Sequence, residues 1–227
     1  MSPTSRDDSA QVAPPSPWEE AYARFETPAE ERRKFLRRLR WLGAHDWPKD
    51  SQIVEIFCGR GNGIHALEQL GFTRLEGVDL SPALLAQYHG PAVTHAADCR
   101  HLPFEDHSRD VLIVQGGLHH LEGLPDLEQT LGEIGRVLRP GGRFVAVEPW
   151  RTPFLDLVHW VSEKPLVRKL SNKMDAFATM THYERDTYER WLAAADSIRP
   201  LLAKHFTPER QRIGWGKLMY VGTPRRS

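Results

Sequence analysis

The feature that most constrains this chain is a short apolar run that ends in spaced glycines and restarts as a helix. Ile53–Phe57 reads as a strand, Gly59-x-Gly61-x-Gly63 follows, and Ile64, Leu67 and Leu70 then recur at helical spacing before Gly71. Glycine permits positive φ and removes the Cβ, so such a loop lets backbone approach a ligand closely. The alternation continues downstream. Leu75–Asp79 is a second strand, and Ser81-Pro82 opens a helix with a capping hydroxyl and a first-position proline. Ala92–Ala97 and Val111–Val114 read as a third and fourth strand. Leu124, Leu127, Leu131, Ile134 and Leu138 line a helix expected to stop at Pro140-Gly-Gly142, before a fifth strand at Phe144–Val147. This pattern predicts an α/β fold: a doubly wound, mostly parallel seven-stranded sheet with helices on both faces. Its C-terminal end reads as an antiparallel hairpin around Gly214-Trp-Gly216.

The 227 residues suit one domain over residues 18–227, preceded by a Ser/Pro/Asp-rich tail at 1–17 that is expected to be disordered. Within the domain, helices occupy 18–47, the ligand-binding core 51–150, a helical substrate or lid region 151–203, and strands 204–227. Thr27, Pro28 and Glu30 form a capping box at the start of a helix that runs through a basic stretch, Arg32–Arg40. Phe35, Leu36 and Leu39 supply its inward face, so the arginines are read as a solvated surface rather than a nucleic-acid site. Thirty basic residues balance thirty acidic ones, which gives no global field toward nucleic acid or an anionic membrane. No apolar run reaches the roughly 20 residues that span a bilayer, and Met1-Ser-Pro-Thr-Ser-Arg-Asp-Asp lacks the basic start and apolar core expected of a secretion signal. With only Cys58 and Cys99, both expected to be reduced thiols, the expectation is a cytoplasmic protein whose partner is a small molecule, neither nucleic acid nor membrane. Monomer and homodimer both stay open.

Two details qualify the glycine loop. A dinucleotide site wants its third glycine where Ile64 stands, and an acid, Glu55, lies within the strand before the loop. Asp79 follows about twenty residues on, where a carboxylate can accept from adjacent ribose hydroxyls. Ala97-Asp-Cys-Arg-His-Leu-Pro-Phe104 and Leu138-Arg-Pro-Gly-Gly142 come next in order. Together these residues resemble the class I S-adenosylmethionine-dependent methyltransferases, in their small-molecule, type 11-like branch, from about Ile53 to Trp150. The resemblance implies S-adenosylmethionine as cofactor. It implies that Glu55 anchors the methionine end, often through water, and that Gly59, Gly61 and Gly63 pass close to the amino-acid part. Asp79 would take the ribose with Leu80 beside it. Asp98 would accept from the adenine amino group with the Cys99 amide near the ring, and Gln115 would approach the methionine end.

Methyl transfer needs nucleophile, methyl and sulfur in line, water excluded, and sometimes a proton removed. The segment Gln115-Gly-Gly-Leu-His-His-Leu121 ends the fourth strand, where ligands bind in open α/β sheets. His119 is the candidate catalytic residue, with packing or hydrogen bonding around the cofactor as its alternative. Glu148 is either a pocket acid or a packing residue. His182 and Tyr183, in the aromatic region after Trp150, are candidate substrate residues, and Tyr22 is a candidate lid over the cofactor. His119, His120, His182 and Glu148 offer metal-binding atoms, but adjacent histidines lack the i, i+4 spacing of a shared helix face, so no metal is expected. The leading expectation is methyl transfer to an O, N or C nucleophile of a small molecule, chiefly by alignment and desolvation. A catalytically silent methyltransferase-like binding module is the alternative. An NAD-type oxidoreductase is a weaker one, failing at Ile64 and leaving Asp98 without a role.

Overall fold

The structure is a computed structural model and describes residues 17–225; the tail expected over 1–17 lies, except for Pro17, outside the described residues. Two helices, α1 (Pro17–Phe25) and α2 (Pro28–Trp41), precede the sheet. The core then alternates β1 (Gln52–Ile56), α3 (Asn62–Gln69), β2 (Arg74–Asp79), α4 (Pro82–Leu85), β3 (Val93–Ala96), β4 (Arg109–Gln115), α5 (Leu124–Val137) and β5 (Leu138–Pro149). Five helices follow: α6 (Pro153–Ser162), α7 (Pro165–Leu170), α8 (Asn172–Tyr183), α9 (Arg185–Ala193) and α10 (Ala195–His205). The chain closes with β6 (Phe206–Gly214) and β7 (Lys217–Pro224).

The sheet order is β3-β2-β1-β4-β5-β7-β6. The first five strands are parallel, and β7 runs antiparallel to both β5 and β6. The strand order reverses between β1 and β4, so their carboxyl ends open a crevice for a ligand. Adjacent residues on the central strands face opposite sides, and both sides are covered, which is why β1 and β4 read as nearly continuous apolar runs. Val54, Ile56, Leu112, Val114, Phe144 and Ala146 pack with Leu127, Leu131 and Ile134 of α5 and with Tyr188, Trp191, Ile198 and Leu202 of α9 and α10. Ile53, Val111, Ile113, Val145, Val147 and Val221 pack with Phe35 and Leu39 of α2 and Ile64 and Leu67 of α3. Each fully buried Leu, Ile, Val or Phe contributes about 1.5–3 kcal/mol of transfer free energy.

Local signals hold at the helix starts. Thr27 and Glu30 form the reciprocal capping box on α2, and Ser81 Oγ accepts from the Leu84 amide at α4. One boundary differs. Helix α5 stops at Val137 rather than at Pro140, and Leu138–Gly142 already lies in β5. Leu138 is buried and pairs with Arg109, and pairing resumes only at Arg143 with Val111, so 139–142 bulge out between the two pairs with Gly141 at a φ of 81°. No helix among the described residues is long and apolar enough to cross a membrane.

Candidate active site

Alternation along β1 sends Glu55 to the same face as Ile53, beneath α3. Its carboxylate fits there only because Gly63 has no side chain: a Cβ on Gly63 would lie 1.8 Å from Glu55 Oε1. The turn into α3 is set by Gly61, whose φ of 78° is a left-handed conformation at the helix N-cap. On the neighbouring strand Gln115 Nε2 donates to Glu55 Oε1 at 3.2 Å. Glu55 Oε2 and Gln115 Oε1 are both buried acceptors with no hydrogen-bond donor. Burial pushes the Glu55 carboxyl up to about 8, opposed by the Gln115 hydrogen bond and the Ile64 amide and reinforced by the nearby Glu31. Two orphaned acceptors at the crevice suit a ligand with a cationic ammonium group, which satisfies both oxygens and stabilises the carboxylate. The amino-acid end of S-adenosylmethionine has that chemistry, so the residues present fit the group.

Asp79 stands at the carboxyl end of β2. Its Oδ2 accepts from the Gly59 amide at 2.8 Å and its Oδ1 from the Ser81 amide at 2.9 Å. These bonds orient the carboxylate against the glycine loop and leave lone pairs for further donors. Leu80 is 73% exposed, an apolar surface next to that carboxylate. The Ala97 amide donates to the Asp79 carbonyl, which brings Asp98 and Cys99 beside the β2 end. Asp98 is clasped by Arg100, whose backbone amide and guanidinium donate to it, and Arg100 also pairs with Asp126. The Arg100 bonds hold Asp98 down at about 2. Any ligand donor at Asp98 therefore shares the carboxylate with Arg100. Cys99 is buried with its Sγ 3.6 Å from Thr130 Oγ1, and both cysteines are free thiols.

Helices α1 and α2 reach the same crevice. Tyr22 donates to Glu31, and Glu31 accepts from Asn62 Nδ2 at 2.7 Å in the first turn of α3. Arg60 of the glycine loop lies over the Tyr22 ring, 5.8 Å from its centroid. Tyr22 is thus connected to the loop through Glu31 and Asn62.

The β4 and β5 ends hold a second polar group. Buried Glu148 accepts from the Gly117 and Leu118 amides through Oε1, each at 2.9 Å, and meets His119 Nδ1 through Oε2 at 2.8 Å. Burial disfavours its ionisation, but the His119 interactions and the two amides prevail and keep the carboxyl below its ordinary range. Glu148 thereby anchors the 3-10 turn Leu118–His120, and an ionised carboxylate facing Nδ1 favours the His119 tautomer that carries its proton there. His120 lies tilted against His119 with ring centroids 4.1 Å apart, and partial desolvation, with His119 beside it, lowers its pKa.

From His119 an aromatic arc extends into the helical region. His119 contacts Tyr188 edge-on at 6.0 Å, and Tyr188 Oη lies 3.3 Å from His159 Nε2. His159 stacks on Phe177 at 5.5 Å, and Phe177 meets Phe25 of α1 at 5.9 Å. His182 and Tyr183, expected at the substrate, sit instead at the exposed end of α8 and contact one another. The helical phase of α8 turns them outward, and Tyr188 and His159 take the inward places. His119, His120 and Glu184 place ligand-type atoms within 4.8 Å of one another, a grouping that local spacing does not reveal because Glu184 arrives from the start of α9. Phe57 also escaped the sequence reading. Its φ of 59° is rare for a bulky residue, and its ring lies against Gly117, joining the loop to the histidine turn. No sequence signal marks a phenylalanine for that conformation.

A family model described as a methyltransferase domain matches residues 54–146. The chain is similar to the ubiquinone/menaquinone biosynthesis C-methyltransferase UbiE of Bartonella tribocorum, 36% identical over 87 residues, covering 36% of this chain and 32% of that protein. It is also similar to the sterol 4-C-methyltransferase strm-1 of Caenorhabditis elegans, 28% identical over 142 residues, covering 56% of this chain and 41% of the relative. The matches thus span less than half the length of these two relatives. Among solved structures, the PH0226 protein of Pyrococcus horikoshii superposes with a TM-score of 0.67 at 19% identity, over 93% of this chain and all of the other. The geranyl diphosphate C-methyltransferase of Streptomyces coelicolor, solved with S-adenosyl-L-homocysteine, superposes at 0.58 with 15% identity, over 96% and 90% of the two chains. Over residues 54–146 the chain is thus similar to the methyltransferase-domain family, and its fold is shared with these solved structures.

Proposed function

We propose that this protein methylates a small-molecule acceptor whose nucleophile lies beside His119, with His119 Nε2 as the general base. The observation that carries this reading is the His119–Glu148 pair, in which a buried carboxylate with three hydrogen-bond donors sets the tautomer of a histidine at the carboxyl end of β4. When bound, S-adenosylmethionine supplies an electrophilic methyl group on a sulfonium. Glu55 and Gln115 would hold its ammonium, the loop from Gly59 to Gly63 its amino-acid part, Asp79 and Leu80 its ribose, and Asp98 with Cys99 its adenine. Tyr22, through Glu31, would brace the loop. His119 would take the proton of an O–H, N–H or activated C–H acceptor, and Glu148 would stabilise the imidazolium that forms. Phe25, Phe177, Tyr188 and His159 would exclude water and seat a largely apolar acceptor body. C-methylation of an apolar ring or isoprenoid acceptor is in keeping with the names of the UbiE and sterol relatives.

The test is S-adenosyl-L-homocysteine formation with a panel of quinol, phenol and sterol acceptors. Turnover is expected with an apolar acceptor. His119→Asn should lower kcat by roughly 10²–10⁴-fold, the usual contribution of a positioned base, with cofactor affinity unchanged. An unaltered kcat in the variant overturns the base assignment. Cofactor binding without turnover on any acceptor favours a silent binding module.

A further inference from the structure

Helix α6 has two differently employed faces. Leu155 and Ser162 are buried, and His159 between them joins the aromatic arc. The opposite side presents Phe154, Leu157 and Trp160, spaced i, i+3, i+6 along one exposed stripe. Helix α7 has no buried residue and presents Leu166 and Leu170 at i, i+4. Only Glu163 and Lys164 separate the two helices. Trp215, at the tip of the β6–β7 hairpin, extends the stripe, its ring 5.0 Å from that of Phe154. These six residues are between 42 and 78% exposed. Single exposed apolar side chains need no explanation, but six large ones from three neighbouring elements form the kind of patch that marks an interaction surface.

The rim supplies the sign of the partner. Residues 151–173 hold five Lys and Arg against two Asp and Glu, in a chain with thirty of each overall; Arg151, Arg168 and Lys173 pair with Asp156, Asp175 and Glu30, while Lys164 and Lys169 border the apolar stripe. Lys164 lies over the Trp160 ring, its Nζ 4.4 Å from the centroid, and Lys169 is exposed beside Leu170. Self-association through a two-fold contact would set this basic rim against its own copy, which is unfavourable. Tryptophan and leucine bordered by lysine and arginine suit the headgroup boundary of a bilayer, where rings and aliphatic stems enter and cations stay with anionic headgroups.

We propose that the outer face of α6–α7, with Trp215, is a docking surface for anionic phospholipid bilayers, lying in the interface without crossing it. This departs from the expectation, drawn from net charge, of no membrane partner: a balanced whole-chain charge says nothing of where Lys164 and Lys169 stand against the apolar stripe. Docking would also set α6, whose inner side carries His159, between the bilayer and the aromatic arc. The proposal does not depend on methyl transfer.

Co-flotation of the full chain with vesicles tests it, using phosphatidylcholine alone and phosphatidylcholine with about one third phosphatidylglycerol. The protein should float with the anionic vesicles, with a bound fraction that falls several-fold as salt is raised, and only weakly with the neutral ones. The double variants Leu157→Ser/Trp160→Ser and Leu166→Ser/Leu170→Ser should each abolish flotation while keeping the wild-type melting temperature. Lys164→Glu/Lys169→Glu should remove the preference for anionic vesicles. Absence of flotation with either composition overturns the proposal, as does flotation unaffected by the apolar variants. A wild-type dimer in light scattering that these variants convert to monomers, with no flotation, would assign the patch to a second copy instead.

Discussion

At the residue scale, Glu55 makes the sharpest commitment. Its carboxyl is raised to about 8 by burial, so in the ligand-free protein it is mostly protonated at neutral pH. A group whose folded pKa exceeds its unfolded value of 4.5 stabilises the fold fully below that value and loses this contribution as pH rises through 8. The ligand-free protein should therefore lose melting temperature between about pH 5 and 9 more steeply than Glu55→Gln. Binding of an ammonium-bearing cofactor favours the ionised carboxylate and releases a proton. Affinity for S-adenosyl-L-homocysteine, read by calorimetry, should rise with pH from about 6 to 8, by at most about tenfold per unit, and Glu55→Gln should flatten that rise. Asp79 commits differently. Its two backbone bonds orient it already, so Asp79→Ala should weaken cofactor binding by roughly 1–3 kcal/mol through loss of the charged acceptor of ribose hydroxyls. An affinity equal to wild type would move the ribose elsewhere.

At the element scale, the β1–loop–α3 unit works because helix and strand approach closely over Gly63. Gly63→Ala would place a Cβ against the Glu55 carboxylate, and the cost of that overpacking is about 1–3 kcal/mol of stability. Cofactor affinity should fall with it, since the displaced carboxylate is the proposed ammonium acceptor. Gly135→Ala is the matched control. It lies inside α5 with open space where the Cβ would go, and it should stabilise the protein by roughly 0.5–1 kcal/mol. A melting temperature unchanged by Gly63→Ala would show that the loop moves freely away from Glu55. The capping box at Thr27 and the serine cap at Ser81 were legible because capping is local chemistry. The start of β5 was not, because pairing with Arg109 fixes the backbone at Leu138.

At the scale of the whole molecule, the crevice joins distant parts of the chain: α1 and α2 through Tyr22, Glu31 and Asn62, the sheet through Glu55, Gln115 and Glu148, and the helical region through Tyr188. A ligand bound there stabilises the entire fold by linkage. S-adenosyl-L-homocysteine at about 100 times its Kd should add about 2.7 kcal/mol, or roughly 5–10 °C in Tm for a chain of this size. A single transition that shifts as a whole is the expected thermal scan. The sequence by itself determined the alternation of strands and helices, the glycine loop, and the order of Glu55, Asp79 and Asp98, because strand period, helix period and turn chemistry act over a few residues. Tertiary structure alone decided that Glu148 would hold His119, that Glu31 would reach Asn62, and that Tyr188 rather than Tyr183 would face the histidines. Those pairings join residues 29, 31 and 69 positions apart, where only the packing of elements against one another brings side chains into contact.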